Sequence, residues 1–194
     1  MLMGAITAAV LGTLVFVVML LRNSGRAQKV LRPLAAGDRG AARAALDRMV
    51  PARKRVSSPR ETGPVRERWA GLAVLEDAAT IQAELDALEG PESALMFAKN
   101  IGYLALTLVG PNAQASASAL AALAADAEAK KLHRLSRATL RDQAAVAQAL
   151  LGTPIGDKQL QSFRSGHLDG GLVEQLAKRC VERVRAAKPV AAAA

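Results

Sequence analysis

The residues in this chain best suited to chemistry are its two histidines. His167 stands two residues before Asp169 in a glycine-rich stretch, and a histidine beside a carboxylate on a loop can act as a general base. The same stretch, 165–171, also has the pattern of a helix break, in which Asp169 caps the helix that follows. We favour the break, because it already accounts for Asp169. His133 lies among Lys and Arg residues and is expected at the surface.

The sequence also has a single cysteine, Cys180, and so no internal disulfide. Its neighbours Leu176, Ala177, Val181 and Val184 predict a buried, hydrophobic role; a reactive or lipidated thiol is the alternative. The histidines lack the spacing of a metal pair, and neither a phosphate-binding glycine loop nor a nucleophile elbow is present. We therefore predict no catalytic residue, no cofactor-binding residue, no metal ligand and no enzymatic activity.

Basic residues are concentrated in one part of the chain, and they point to a membrane surface. The whole net charge of +9 arises within residues 22–60, where basic side chains far outnumber the two acids. Such a segment can attract anionic lipid, or it can be a topology signal with a solvated surface. Nucleic acid is not expected as a partner, since no aromatic residues for base stacking are interleaved. The predicted lipid contacts are Arg22, Arg26, Lys29, Arg32, Arg53, Lys54 and Arg55.

Residues 1–21 carry no charged side chain and predict a single transmembrane helix. At 1.5 Å per residue, this stretch spans about 30 Å, which matches the hydrocarbon core of a bilayer. A secretory signal peptide is the alternative, but the start is not basic and the residues before Arg22 are unlike a cleavage site. Because the positive charges follow the span, the C-terminal part is expected on the cytoplasmic side.

The rest of the chain predicts an all-α domain, because Ala, Leu, Arg, Glu and Gln favour helices and strand-forming runs are scarce. We expect a basic juxtamembrane helical segment at 22–50 with a break at Gly37-Asp38, and a flexible linker at 51–64. A helical domain is expected at 65–188, and a disordered Ala-rich tail at 189–194.

Within the predicted domain, residues 65–89 form either one broad-faced helix or two helices that break near 75–77. The run 91–109 is apolar on nearly all sides, which predicts a central buried helix. A second membrane span there is disfavoured, because Lys99 and Asn100 interrupt the run. Further helices are predicted at about 113–127, 130–151 and 170–187, with a short one near 157–164.

The turn and the small residues around Gly37-Asp38 resemble a known repeat family. Residues 30–50, from Val30 through Pro33, Gly37-Asp38 and Ala42 to Leu46, resemble the turn and second helix of a tetratricopeptide repeat. The 34-residue period does not recur cleanly, and the family's Trp-Leu-Gly-Tyr positions are not reproduced in order. The resemblance implies stacked helical hairpins and a groove that holds a peptide or a partner helix. A generic helical-hairpin domain is the alternative.

Two functions remain as expectations from the sequence. The first is a membrane-anchored helical scaffold or accessory subunit, which binds a protein partner at the cytoplasmic face of a bacterial inner membrane. The bacterial origin is inferred from the Ala- and Arg-rich composition. The alternative is a membrane-surface module that binds anionic lipid through residues 22–60.

Overall fold

The computed structural model describes the backbone of residues 2–187 and the side chains of residues 13–15 and 17–187. This part of the chain is helical and contains no strand, so the predicted all-α class is confirmed. The predicted C-terminal tail lies outside the described residues. The helices are α1 (Leu2–Ala35), α2 (Arg39–Met49), α3 (Thr62–Val74), α4 (Ala78–Asp86), α5 (Glu92–Val109), α6 (Ala113–Ala129), α7 (Arg134–Leu150), α8 (Asp157–Ser165) and α9 (Leu172–Ala187), with a short 3₁₀ turn at Pro59–Glu61.

Helix α1 is one continuous helix of 34 residues, about 50 Å long, where two separate helical segments were expected. The polar residues Asn23, Ser24 and Gly25 do not interrupt it. Most side chains of the predicted span 1–21 (1–12 and 16) lie outside the described residues. Among the side chains that are described, none of the helices provides a stretch long and apolar enough to cross a membrane.

The structure contains two helical hairpins with the same type of turn. The first consists of the end of α1 and α2, and the second consists of α3 and α4. In the first turn, the N–H of Asp38 donates to the carbonyl of Pro33 (2.9 Å), and the Asp38 carboxylate caps α2 by accepting from Ala41 N–H (2.8 Å). In the second, Asp77 N–H donates to Leu72 (2.9 Å), and the Asp77 carboxylate accepts from Thr80 N–H (3.1 Å). The break near 75–77 is therefore real, and the helix–turn–helix alternative is the right one.

The buried residues of the two hairpins also correspond. Ala42 and Leu46 lie four and eight residues after Asp38, and Ile81 and Leu85 lie four and eight residues after Asp77; all four side chains are buried. The spacing places each pair on one helix face. The same turn and the same spacing of buried residues thus occur twice in the chain. Membership of the tetratricopeptide repeat family remains a prediction.

Helix α5 is the centre of the domain, as the sequence predicted. It packs against α3, α4, α6, α7 and α9, and its buried residues include Ile101, Leu104 and Ala105. Gly102 allows the close approach of α3 and α4, because a Cβ there would lie 2.6 Å from Leu85 and 2.9 Å from the Trp69 ring. Helices α6, α7, α8 and α9 follow in order, each in contact with its neighbour in the chain.

The segment 51–64 is more closely packed than the linker that the sequence predicted. Most of its side chains are exposed, but Val56 is completely buried. Its backbone pairs with Glu89: Val56 N–H donates to the Glu89 carbonyl (2.9 Å), and Glu89 N–H donates to Lys54 (2.8 Å). Helix α3 already begins at Thr62. Residues before 65, including Leu46 and Val50, belong to the same hydrophobic core as the rest, so a boundary at 65 would cut through this core.

A buried ionic cluster around Arg68 joins the two hairpins. The Arg68 side chain is only 6% exposed; it donates to both Glu84 oxygens (2.8 and 2.9 Å), to Asp47 (2.7 Å) and to the Val50 carbonyl (2.9 Å). Glu84 also accepts from the Trp69 indole N–H at 3.1 Å. Burial acts to raise the pKa of Asp47, but hydrogen bonds from Arg68 and Arg43 outweigh it and lower that pKa below 3.8.

The Arg68 cluster generates a prediction about stability. Arg68→Met leaves Glu84 and Asp47 without their shared cation, and we expect the free energy of unfolding to fall by about 3 kcal/mol. The matched control is Arg39→Met, since the Arg39–Glu76 pair (2.8 Å) has side chains 65% and 54% exposed. That change should cost less than about 1 kcal/mol. Urea denaturation of both variants, in mild detergent, measures the difference; equal losses would contradict a structural role for Arg68.

Candidate functional site

A wide concave surface lies between α4 and α6, with α5 as its floor, and is here called the α4–α6 groove. Its volume is about 970 Å³. The walls are made of small side chains, among them Ala79 and Ala83 on α4 and Ala115 and Ala119 on α6, while Tyr103 and Leu106 of α5 form the floor. Small walls over an apolar floor allow a helix or an extended peptide to approach closely, which is how helical hairpin domains hold their partners.

The rim of the α4–α6 groove is acidic. Glu76, Asp77 and Asp86 line it, together with the neutral Gln82 and Asn112. Two of these acids are paired with α2: Glu76 with Arg39, and Asp77 with Arg43. Asp86 makes no ion pair within the described part of the chain and accepts only from Gln82 (2.9 and 3.0 Å). Burial and the nearby Asp86 raise the pKa of Tyr103, so the floor keeps a neutral phenol beside an anionic rim.

The loop that carries His167 is structural. His167 is buried, and its Nδ1 lies 2.7 Å from the Phe163 carbonyl oxygen. Since a carbonyl can only accept, Nδ1 carries the proton, and Nε2 of the neutral ring accepts from the Gln143 amide at 3.1 Å. Asp169 is not a partner of the ring; its carboxylate accepts from Gly171 N–H (2.8 Å), just before α9 begins. The predicted break between the helices is therefore confirmed, but the predicted cap is wrong: α9 begins at Leu172, so Gly171 and not Asp169 precedes its first residue.

A second cavity, here called the basal cleft, lies where α1 meets this loop and the start of α3. It has a volume of about 480 Å³ and is lined by Asn23, Arg26, Arg66, Glu67, His167 and Asp169, among others. Asn23 donates to the Asp169 carbonyl (3.0 Å), which ties α1 to the loop. Burial lowers the pKa of Arg66, whose Nε has no hydrogen-bond partner in the described structure. Burial also raises the pKa of Glu67. The cleft carries equal numbers of cations and acids.

The predicted lipid-contact residues are distributed over three places. Arg26 is partly buried and bonds to the Met49 carbonyl (3.4 Å) and Glu67 (3.6 Å), so it belongs to the basal cleft. Lys29 and Arg32 are exposed and line a cleft between α1 and α2, together with Arg48. Arg22 is exposed on α1, and the side chains of Arg53, Lys54 and Arg55 are exposed on the segment after α2. Sequence reasoning did not single out Arg48; the signal that was missed is its position about one turn after Ala45, which lines the same cleft.

The remaining residues of chemical interest have structural roles. Cys180 is buried, and burial raises the pKa of its thiol to about 12, which keeps it protonated; the prediction of a buried hydrophobic role is confirmed. His133 is exposed, as expected, and its ring accepts from Leu135 N–H (3.4 Å) at the start of α7. The described side chains include no group of three His, Cys, Asp or Glu residues arranged for a metal ion.

The environment of His167 generates a prediction about pH. Burial lowers the pKa of His167 below 6.5; nearby Arg66 acts in the same direction, while the Phe163 bond, Asp169 and Asp142 oppose it. The unfolded chain therefore binds this proton more readily than the folded one. Stability is fully present above about pH 6.5 and falls as the pH drops below the unfolded pKa. This loss of stability is measured as a fall in the thermal midpoint of the full chain between about pH 8 and about pH 5.5, the range in which a histidine titrates.

The two histidines supply their own control for this measurement. His167→Gln should flatten the pH dependence in this range, whereas His133→Gln, at an exposed site, should retain it. The carboxylates with lowered pKa values, Asp47, Asp77 and Glu174, lose their contribution only in more acidic solution, near pH 4. An unchanged pH profile in the His167 variant would refute the assignment.

No protein-family model matches this chain, and neither a curated protein nor a solved structure matches it.

Proposed function

We propose that this protein is a membrane-anchored helical scaffold or accessory subunit, which crosses a bacterial inner membrane once through α1 and holds a protein partner on its cytoplasmic helical domain. The observation that carries the proposal is the change in environment along α1. Leu14, Val15 and Leu21 are 58%, 65% and 69% exposed, whereas Ala27 and Val30 on the same helix are 1% and 0% exposed.

The exposed apolar part of α1 supports the membrane anchor. Large apolar side chains there (Leu14, Val15, Val17, Val18, Met19 and Leu21) are left uncovered by the domain. A contiguous apolar surface of this kind is typical of a membrane or protein contact. The preceding residues continue the uncharged sequence back to Met1. Together these residues have the length that a bilayer's hydrocarbon core requires.

The charge distribution supports the proposed orientation. Arg22 and Arg26 follow the apolar stretch immediately, with Lys29 and Arg32 one and two turns later, and no Lys or Arg precedes it. By the positive-inside rule, this distribution favours a cytoplasmic domain. Arg26 forms an ion pair with Glu67, which offsets part of its charge. Arg22, Lys29 and Arg32 make no ion pair within the described residues, so their charges contribute in full to the orientation.

The α4–α6 groove supports a protein partner. It is wide, its walls are small and apolar, and its unpaired acid is Asp86 at one end. These features favour a partner segment that has a narrow apolar face and a basic residue near Asp86. The groove lies on α4, α5 and α6, which are all in the cytoplasmic domain of this proposal, so a cytoplasmic partner segment or the cytoplasmic tail of another membrane protein can reach it.

The anchor has a direct test in the full chain. Leu14→Asp with Val15→Asp places two acids in the apolar stretch, at a cost of up to about 3 kcal/mol each at mid-membrane. We expect the variant to leave the membrane in alkaline carbonate, while the unaltered chain stays. Leu135→Asp is the control, because Leu135 is 71% exposed on α7 of the domain and should not change retention. Release of the unaltered chain would refute the anchor.

The partner groove is tested by site-specific crosslinking in cells, with the anchor intact. A photoreactive residue at Ala83, which is exposed in the groove, should form one discrete adduct with a partner. The same residue at Arg141, exposed on α7 and outside the groove, is the control. Asp86→Lys should abolish the adduct at Ala83, because it places a positive charge opposite the basic residue of the partner. Equal labelling at both sites would contradict a specific groove.

A further inference from the structure

The cleft between α1 and α2, here called the α1–α2 cleft, combines three cations with an apolar wall. It has a volume of about 650 Å³, which is within the range of small-ligand sites. Lys29 and Arg32 from α1 and Arg48 from α2 supply the charge, and Pro33, Ala45 and Met49 supply apolar surface. No acid is among the lining residues. This composition distinguishes it from the basal cleft, where cations and acids are balanced.

The three cations differ from their neighbours on the same helices. Arg26, Arg39 and Arg43 each pair with an acid elsewhere in the fold. In contrast, Lys29, Arg32 and Arg48 have no ion pair among the described side chains, and Arg48 donates only to the Ala44 carbonyl one turn earlier (3.2 Å). Like charges that line one cleft repel each other, and an anion bound between them removes this repulsion. Their free N–H groups suit the oxygens of a phosphate.

The location of the cleft matches the surface of a membrane. Lys29 lies eight residues beyond Leu21, the last strongly exposed apolar residue of α1, which is about 12 Å along the helix axis. The headgroup layer extends about 5 to 8 Å beyond the hydrocarbon core, so the Lys29 backbone lies about 4 to 7 Å outside this layer, and its side chain has to extend back toward the membrane to reach a phosphate. Side chains of an α-helix lean toward its N-terminus, and on α1 this is the direction of the membrane. Helix α2 returns to the same level, since Met49 accepts a hydrogen bond from Arg26 (3.4 Å).

We propose that the α1–α2 cleft binds the phosphate of an anionic lipid headgroup through Lys29, Arg32 and Arg48. The inference rests on the proposed membrane anchor, which brings the cleft to the headgroup layer. The apolar side chains of Pro33 and Met49 line the cleft beside these cations. The other predicted contacts take no part in this site. Arg26 is engaged in the basal cleft, and Arg22, Arg53, Lys54 and Arg55 are not among the residues that line the α1–α2 cleft.

The experiment measures lipid retention by the purified full chain in detergent. Native mass spectrometry in a mixture of phosphatidylglycerol and phosphatidylcholine counts the lipids that remain bound. We expect selective retention of phosphatidylglycerol, and a loss of at least tenfold in a variant with K29Q, R32Q and R48Q, because each cation attracts the anionic headgroup. The matched control carries R53Q, K54Q and R55Q, which removes the same charge from exposed positions outside the cleft, and it should retain the lipid.

Each other outcome overturns the inference. Equal retention of both lipids by the unaltered chain shows no headgroup site, whatever the variants do. Equal losses in the two variants show diffuse attraction rather than a site. Displacement of phosphatidylglycerol by inorganic phosphate shows that the cleft takes the free ion. Carbonate extraction from neutral phosphatidylcholine vesicles tests the anchor separately: a chain that inserts there but does not select phosphatidylglycerol refutes the headgroup site and leaves the anchor standing.

Discussion

The arrangement of the two hairpins depends on the hydrogen bonds and ion pairs of the Arg68 guanidinium. It takes part in a network that reaches α2 through Asp47 and Val50 and α4 through Glu84, while Arg68 itself stands on α3. A buried cation of this kind is tolerated only when its donors are satisfied. The requirement fixes the distance and direction between three helices at once. Because α1 packs on α2, the same requirement determines how the apolar stretch of α1 leaves the domain.

The hydrophobic packing around this network is close, because small residues are placed where helices cross. Gly71 lets α3 approach α2 and α9; a Cβ there would lie 2.6 Å from Leu46 and 3.0 Å from Leu172. Gly102 has the same effect between α5 and the helices α3 and α4. With few aromatic residues, the chain builds its core from short distances between helix axes. The walls of the α4–α6 groove are made of similarly small residues, so this surface has the same shape as the buried helix contacts.

The helices and their ends could largely be predicted from the sequence, because local signals determine them. Gly-Pro and Asp residues mark the turns, and the apolar run at 91–109 marks the central helix. The Arg68 cluster could not be predicted, since Asp47, Arg68 and Glu84 are far apart in the chain and have no common spacing. Val56 was missed for a related reason: a single apolar residue among polar ones has no periodicity, and its burial depends on the distant Glu89.

The candidate sites, too, could be predicted only where local sequence signals determine them. The helix break around His167 could be predicted from local chemistry, because glycines flank this residue and Asp169 bonds to the nearby Gly171 N–H. Which basic residues form ion pairs could not be predicted in this way, because it depends on which arginines meet an acid in the folded chain. Arg26 and Arg43 do, while Lys29, Arg32 and Arg48 meet none among the side chains that the structure describes. A charge run that looks uniform in sequence is thus divided by the fold into structural and available cations.

The continuity of α1 has a mechanical consequence. A helix without a break between its exposed apolar part and its packed part behaves as a stiff rod, and the hydrogen bond from Asn23 to the Asp169 carbonyl braces it against the α8–α9 loop. Gly170 sits against the same stretch, where a Cβ would lie 2.8 Å from the Leu20 carbonyl oxygen. Helix α1 and the domain therefore move as one body. If α1 is the anchor proposed above, a change in its tilt moves the α4–α6 groove along an arc, and the thickness of the bilayer would then influence how far that groove lies from the membrane surface.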